Sequence, residues 1–150
     1  MSSNTFDRVL RVVESWHPKK DYKKEAGYRD DLMAFVRYEL KELEKGSMWG
    51  FPQEHRIRSE SGRHLADIGI DEKIGIELKR NFTSQGKYDT LVGQMKRFMR
   101  QYSDIIIVLC GEVKKELVDD LQVDYKKYSG GSILWQPEPA VEIVDKGKGK

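Results

Sequence analysis

The sequence is poor in the features that mark secreted and membrane-spanning proteins. It has a single cysteine among 150 residues, Cys110, so it can form no internal disulfide. No apolar stretch is long enough to span a bilayer, and no signal-peptide hydrophobic segment follows Met1. We therefore expect a cytoplasmic protein with no membrane partner, in which the cysteine is a small buried apolar residue.

A large excess of charge of one sign is also missing. The 27 basic and 25 acidic residues leave a formal charge of +2, which does not by itself indicate nucleic-acid binding. A near-neutral total can hide a basic face, so the distribution of the charges matters more than their sum. With no internal repeat and no visible boundary, we expect one domain over residues 1–145, followed by a disordered Gly/Lys-rich tail over 146–150.

Apolar periodicity predicts the order of the secondary-structure elements. The predicted elements are helices over Asn4–Ser15 and Tyr28–Leu43, strands over Glu54–Ser59, Leu65–Ile70 and Ile74–Lys79, a polar loop over Asn81–Gly86, a helix over Tyr88–Tyr102, a strand over Asp104–Cys110, a helix over Glu112–Tyr128, and short strands over Ser132–Trp135 and Ala140–Val144. Hairpin strands followed by a crossover helix and a buried strand predict an α/β fold, with a mixed β-sheet flanked by helices.

The most informative stretch is His64–Arg80, HLADIGIDEKIGIELKR, which predicts two short strands joined by a tight turn. Side chains alternate between the two faces of a strand, so five aliphatic residues share one buried face. These are Ile68, Ile70, Ile74, Ile76 and Leu78. The opposite face then carries Asp67, Gly69, Gly75, Glu77 and Lys79.

Antiparallel pairing about a turn at Asp71–Lys73 places Asp67 opposite Glu77. Directly opposed residues have Cβ atoms about 4.5–5.5 Å apart. Two carboxylates that close repel each other unless positive charge lies between them. A divalent cation supplies that charge, and hard oxygen ligands suit Mg²⁺.

The same face carries a lysine and two glycines. Lys79 lies two residues beyond Glu77, beside the expected metal, and Gly69 and Gly75 are expected to leave room for a substrate. The alternative is an ordinary amphipathic hairpin with a solvated charged face, in which Lys79 only neutralises Glu77.

This constellation resembles the PD-(D/E)xK nuclease superfamily, which has the restriction-endonuclease-like fold. The matching pattern is Asp67, nine intervening residues and then Glu77-Leu78-Lys79, with Ala66 where the name-giving proline would stand. The resemblance covers roughly residues 25–111 and includes the α-β-β-β-α-β order of that fold. It implies that Asp67, Glu77 and the backbone carbonyl of Leu78 hold Mg²⁺, with Mn²⁺ as a substitute. It also implies that Lys79 acts on the attacking water or on the charge of the transition state.

Two helical residues resemble further members of such a site. The segment KKEAGYRDDL is similar to the Glu-x-x-x-Arg entry to the first core helix, which makes Glu25 a candidate metal ligand. Asp30 is the other candidate, and acidic residues favour the first turn of any helix. Gln94, with Phe98 one turn later, resembles a glutamine near the active site of related nucleases. Its amide would orient Lys79 or a phosphate, unless it is only a polar residue beside the core.

Several basic residues bracket the expected site and together could form a phosphate-binding surface, although each alone could be a solvated charge. They are Arg63, His64, Arg80, Lys87, Lys96, Arg97 and Arg100. The function implied is a Mg²⁺-dependent endonuclease acting on DNA, structure-selective or weakly sequence-selective. A homodimer is one expected assembly, because two strands need two sites. The alternatives are a catalytically inactive nucleic-acid-binding module of the same fold and an interaction protein whose charges are incidental.

Overall fold

The computed structural model describes residues 4–45, 54–60, 65–128 and 139–149. Its elements are α1 (Asn4–Ser15), α2 (Glu25–Lys45), β1 (Ile57–Ser59), β2 (Ile68–Ile70), β3 (Ile74–Phe82), α3 (Gln85–Gln101), β4 (Asp104–Val113), α4 (Lys115–Tyr125) with a 3-10 turn at Lys126–Tyr128, β5 (Ala140–Asp145) and β6 (Lys148–Gly149). The strand predicted over Ser132–Trp135 lies outside the described residues.

One mixed sheet joins all the described strands. Its order is β1-β2-β3-β4-β5, and β6 also pairs with β4. β1, β2 and β3 pair antiparallel, whereas β3, β4 and β5 pair parallel. Parallel neighbours need a crossover connection, and α3 provides it between β3 and β4. The predicted α/β class with a mixed, helix-flanked sheet is therefore confirmed, while the restriction-endonuclease-like assignment stays a prediction.

Two apolar layers bury the two faces of this sheet. Under α1 and α2, Trp16 and Leu32 pack with all five aliphatic residues that alternation assigned to the buried face of the hairpin. On the other face, Leu91 of α3 and Leu121 of α4 pack against β4. Cys110 lies in the first layer, where burial raises the pKa of its thiol to about 12, as expected for a buried apolar residue.

The helices follow from apolar spacing and capping. In α2, Leu32, Val36 and Leu40 recur every four residues and are all buried. α3 begins at Gln85 rather than at Tyr88, because the side chain of Ser84 caps its first turn. Among the helices of the described ranges, none is long and apolar enough to cross a membrane.

β3 is longer than predicted and continues to Phe82 instead of ending at Lys79. Asn81 adopts a positive φ of 56° at an irregularity in the pairing with β4. Its side-chain oxygen accepts a hydrogen bond of 3.0 Å from the N–H of Glu112, which ties the irregularity to β4. Alternation breaks at such a point, so the strand looks like a polar loop in the sequence. β4 likewise continues to Val113, so α4 begins later than predicted.

The carboxyl end differs from the disordered tail predicted over 146–150. Lys148–Gly149 pairs in parallel with Glu112–Val113. Before it, the N–H of Lys146 donates to the carbonyl of Leu109 at 2.8 Å. A Gly/Lys-rich composition predicts disorder for a segment that has no strand to pair with. Here the backbone groups at the end of β4 supply that partner.

Candidate active site

The β2–β3 hairpin has the register that its aliphatic pattern predicts. Ile68 pairs with Ile76, Gly69 with Gly75, and Ile70 with Ile74. The next step of this register puts Asp67 opposite Glu77. The contact agrees, because the N–H of Asp67 donates to Oε1 of Glu77 at 3.1 Å. The opposed carboxylates predicted from alternation are therefore present as neighbours.

Main-chain N–H groups hold both carboxylates in place. Oδ2 of Asp67, just before β2, accepts from the N–H of Leu78 on β3 at 2.8 Å. Oε1 of Glu77, on β3, accepts in turn from the N–H of Asp67. These donors belong to the sheet and its immediate extension, so they fix the two side chains without depending on flexible groups. The arrangement is local to the end of β2 and the middle of β3.

Glu77 is a buried carboxyl group with a charged neighbour on each side. Only 4% of the residue is exposed, and Nζ of Lys79 lies 3.0 Å from its Oε2. Burial, followed by the charge of Asp67, raises the pKa of Glu77 to about 7, although Lys79 acts to lower it. Glu77 therefore does not belong to a solvated charged face, which was the alternative interpretation of the hairpin.

The two hairpin glycines do not leave room for a substrate, which corrects the expectation from the sequence. A Cβ on Gly75 would lie 2.7 Å from the ring of Tyr102, and one on Gly69 would overlap the carboxylate of Glu60. The Tyr102 hydroxyl donates to Glu60 and accepts from the N–H of Ala66 at 3.0 Å. Burial and the bond to Glu60 raise the pKa of Tyr102, so the hydroxyl keeps its proton. The glycines thus admit the buried ring of Tyr102 and the partly buried carboxylate of Glu60, which together support the chain entering β2.

Sequence reasoning missed Tyr102 and Glu60 as residues that support the site. The available signal was the pairing of two glycines on one face, since glycine within a strand often marks the close approach of another group. That signal does not say which group approaches. Tyr102 follows α3 and Glu60 follows β1, so neither is near the glycines in the chain.

Glu25 reaches the same edge of β3 from the start of α2. Its Oε2 accepts from the N–H of Arg80 at 3.0 Å. The N–H groups of Leu78 and Arg80 point to the same side of the strand because the residues are two apart, and the Leu78 carbonyl shares that side. Asp67 and Glu25 therefore occupy successive positions along one edge of β3.

The oxygen atoms at this edge fit a hard divalent cation. Two opposed carboxylates and the carbonyl of Leu78 are donors of the kind that Mg²⁺ and Mn²⁺ prefer. The charge repulsion that helps to raise the pKa of Glu77 is what a cation would relieve. Within the described ranges, no three His, Cys, Asp or Glu side chains form a group that could hold a metal ion. Glu25 is thus not a third side-chain ligand in this arrangement. Asp30, the other candidate, is exposed and pairs with Arg29 at 3.1 Å.

Gln94 lies on α3, which covers the face of the sheet that carries Glu77 and Lys79. Its Oε1 is buried and has no hydrogen-bond partner in the described part of the chain. Buried acceptors are normally satisfied, so this atom is suited to a donor from Lys79 or from a bound molecule. Phe98, one turn later, is part of the apolar layer.

The predicted phosphate-binding residues fall into separate groups. Nε of Arg80 donates to the carbonyl of Tyr22 at 2.8 Å, and Nζ of Lys87 donates to the carbonyls of Arg80 and Asn81 at 3.1 and 2.8 Å. Both therefore organise the main chain at the end of β3. On α3, Lys96 and Arg100 are exposed, whereas Nε of Arg97 is buried without a partner among the described residues. Arg63 and His64 lie outside the described residues.

Comparison with known proteins yields no match by family model, by similarity to curated proteins or by similarity to solved structures. The resemblance to the nuclease superfamily therefore rests on the residues and geometry of this chain alone.

Proposed function

We propose that this protein is a Mg²⁺-dependent nuclease that hydrolyses phosphodiester bonds in DNA, with Mn²⁺ as a substitute cation. The main support for the proposal is the pair of contacts made by the buried carboxyl group of Glu77. Glu77 touches the N–H of Asp67 on one side and the ammonium of Lys79 on the other. Buried charged groups are costly, and such groups with a raised pKa are frequent at active sites. An inactive module of the same fold would not need to keep all three charged groups together.

Each residue of the set has a distinct role. Asp67, Glu77 and the carbonyl of Leu78 hold the cation. When bound, Mg²⁺ polarises the scissile phosphate and lowers the pKa of a water. Lys79, oriented by Glu77, donates hydrogen bonds to the attacking water or to the phosphoryl oxygens, where negative charge develops. Gln94 orients Lys79 through its unpaired amide oxygen, which accepts a hydrogen bond, or a phosphate through its amide NH₂ group, which donates one.

The substrate side of the proposal rests on the basic groups. Lys96 and Arg100 offer exposed positive charge on α3, which supports contact with the phosphate backbone rather than with base edges. We therefore propose cleavage that is structure-selective or weakly sequence-selective. A homodimer would present one site to each strand, and the single cysteine suits the cytoplasm.

A nicking assay on supercoiled plasmid with Mg²⁺ or Mn²⁺ tests the function. We expect the wild-type protein to cleave, and Asp67→Asn and Glu77→Gln to fall to background with loss of divalent-cation binding by calorimetry. Both substitutions keep the size of the side chain and remove only its charge, so the fold should survive. The matched control is Asp119→Asn, which removes an exposed charge from α4 and should leave activity unchanged.

The outcomes separate the function classes. Cleavage by the Asp67 or Glu77 variants at the wild-type rate would contradict the assignment of the site. DNA binding by a wild-type protein that never cleaves would favour the inactive nucleic-acid-binding module. A protein that binds neither cation nor DNA would be an interaction protein in which the hairpin charges are incidental.

A further inference from the structure

The segment Lys19–Lys24 joins α1 to α2 and carries four lysines in six residues. We call it the lysine segment. The carboxylate of Asp31 fixes its path by accepting three hydrogen bonds. The donors are Nε1 of Trp16 at 3.0 Å, the N–H of Lys19 at 2.8 Å and the hydroxyl of Tyr22 at 2.7 Å. The segment is therefore a defined part of the fold.

The carboxyl end of the lysine segment is attached to the strand that carries the candidate catalytic residues. Nε of Arg80 donates to the carbonyl of Tyr22 at 2.8 Å, and the N–H of Arg80 donates to Glu25 at 3.0 Å. Lys23 and Lys24 lie between these two attachment points in the chain. Because Arg80 directly follows Lys79 on β3, these two bonds fix the main chain on either side of Lys23 and Lys24 to the strand that carries Lys79.

The charges of this segment are available to a ligand. Lys20, Lys23 and Lys24 are exposed, and no carboxylate in the described ranges lies within ion-pair distance of them. The one acidic residue of the segment, Asp21, is already paired with Lys148 at 2.8 Å. Nζ of Lys20 lies 5.3 Å from the centre of the Tyr22 ring. The surface therefore presents unbalanced positive charge on an ordered main chain.

We infer that the lysine segment binds the backbone phosphates of the DNA strand that enters the active site, with Lys23 and Lys24 as the contacting residues. This inference rests on the proposed function and assigns it a binding element outside α3. Since the main chain is already ordered, binding has to order only the lysine side chains. Contacts to phosphates carry no sequence information, so all sequences should be held alike.

The test is the salt dependence of DNA binding by Lys23→Gln/Lys24→Gln, measured on duplex DNA in chelator so that no cleavage occurs. The matched control is Lys41→Gln/Lys126→Gln. It removes the same charge from two exposed residues, in the carboxyl-terminal half of α2 and just after α4, at the opposite end of the sheet. Each phosphate contact contributes about 0.9 to the steepness of the plot of log binding constant against log salt concentration. Loss of two contacts should therefore reduce the steepness by about 1.8 in the Lys23/Lys24 variant. The control variant should keep the wild-type slope. Thermal unfolding should be the same in all three proteins.

The results distinguish failure of the inference from failure of the function. If the wild-type protein cleaves DNA but both double variants show the same salt slope, the inference is overturned and the nuclease stands. If the wild-type protein never cleaves but the Lys23/Lys24 variant alone loses salt-dependent binding, the lysine segment is supported and the nuclease is not. If the wild-type protein cleaves DNA and only the Lys23/Lys24 variant loses salt-dependent binding, both the lysine segment and the nuclease function are supported.

Discussion

Glu77 combines burial with two charged neighbours, and this combination determines how the site should respond to pH. Its pKa is raised from 4.5 to about 7. Between these values the folded protein keeps a proton that the unfolded chain has released. Stability contributed by this group therefore decreases as pH rises from about 4.5 to 7, at up to about 1.4 kcal/mol per pH unit. Above pH 7 the carboxylate is charged in both states, and the full cost of burying it remains.

Glu77→Gln should remove this pH dependence. The amide oxygen can still accept from the N–H of Asp67, but the group no longer titrates. We expect the free energy of unfolding of the variant, relative to the wild type, to increase between pH 5 and pH 8. Urea denaturation at several pH values measures it, with Asp119→Asn as the control. Parallel curves for wild type and Glu77→Gln would show that Glu77 titrates normally.

Lys79 should be needed for chemistry and not for cation binding. Its ammonium contacts Oε2 of Glu77, so in Lys79→Ala the carboxylates lose a neutralising neighbour and gain electrostatic attraction for a cation. We expect kcat to fall by about 10²–10³-fold, as when one transition-state donor is removed, while calorimetry shows cation affinity equal to the wild type or tighter. A collapse of cation affinity would instead make Lys79 a structural residue.

At the scale of elements, the β2–β3 turn shows how side chains stabilise an unfavourable backbone. Asp71 and Glu72 both have positive φ, 54° and 59°, as a type I′ turn requires. Asn-Gly is the usual choice there, so this turn depends on other contacts. Asp71 supplies them, because its carboxylate accepts from the N–H of Arg56 at 2.8 Å and lies 2.8 Å from Nδ1 of His55.

Asp71→Ala should therefore destabilise the protein by about 2 kcal/mol, from two hydrogen bonds at about 1 kcal/mol each. Glu72→Ala is the matched control. It also places alanine at positive φ, but it loses only exposed pairs with Arg56 and Arg58, whose attraction is weakened by solvent screening. Thermal or urea unfolding of the two variants gives the comparison. Equal losses would mean that backbone strain, and not the Asp71 contacts, controls the turn.

Local patterns predicted the hairpin but not everything that packs on it. The register followed from the alternation of Ile68, Ile70, Ile74 and Ile76, because one face had to be buried. The role of the glycines could not be predicted from these patterns. The ring that packs on Gly75 belongs to Tyr102, which lies beyond α3 in the chain. The continuation of β3 was also hidden, because the polar Asn81 bonds to a neighbouring strand that local sequence does not show.

At the scale of the whole molecule, the site lies where β2 has ended and β3 continues, so that backbone groups on one edge of β3 are open to side chains. Asp67 takes the first of these groups and Glu25, from α2, takes the next. Glu25 and Arg80 are 55 residues apart in the chain. The resemblance to a nuclease motif suggested their proximity, whereas periodicity alone gave no reason for it. The three-layer packing of helices on a mixed sheet is what brings them together.

The proposed function depends on two opposed carboxylates and one carbonyl that together hold a divalent cation. The most direct measurement is anomalous scattering from crystals of the full chain soaked in Mn²⁺. We predict one strong peak between the carboxylates of Asp67 and Glu77, within about 2.0–2.4 Å of their oxygen atoms and of the Leu78 carbonyl. The same crystals of Glu77→Gln should lack it. If the wild-type protein shows no peak at that place, with Mn²⁺ present at millimolar concentration and pH above 7, these residues do not form a divalent-cation site.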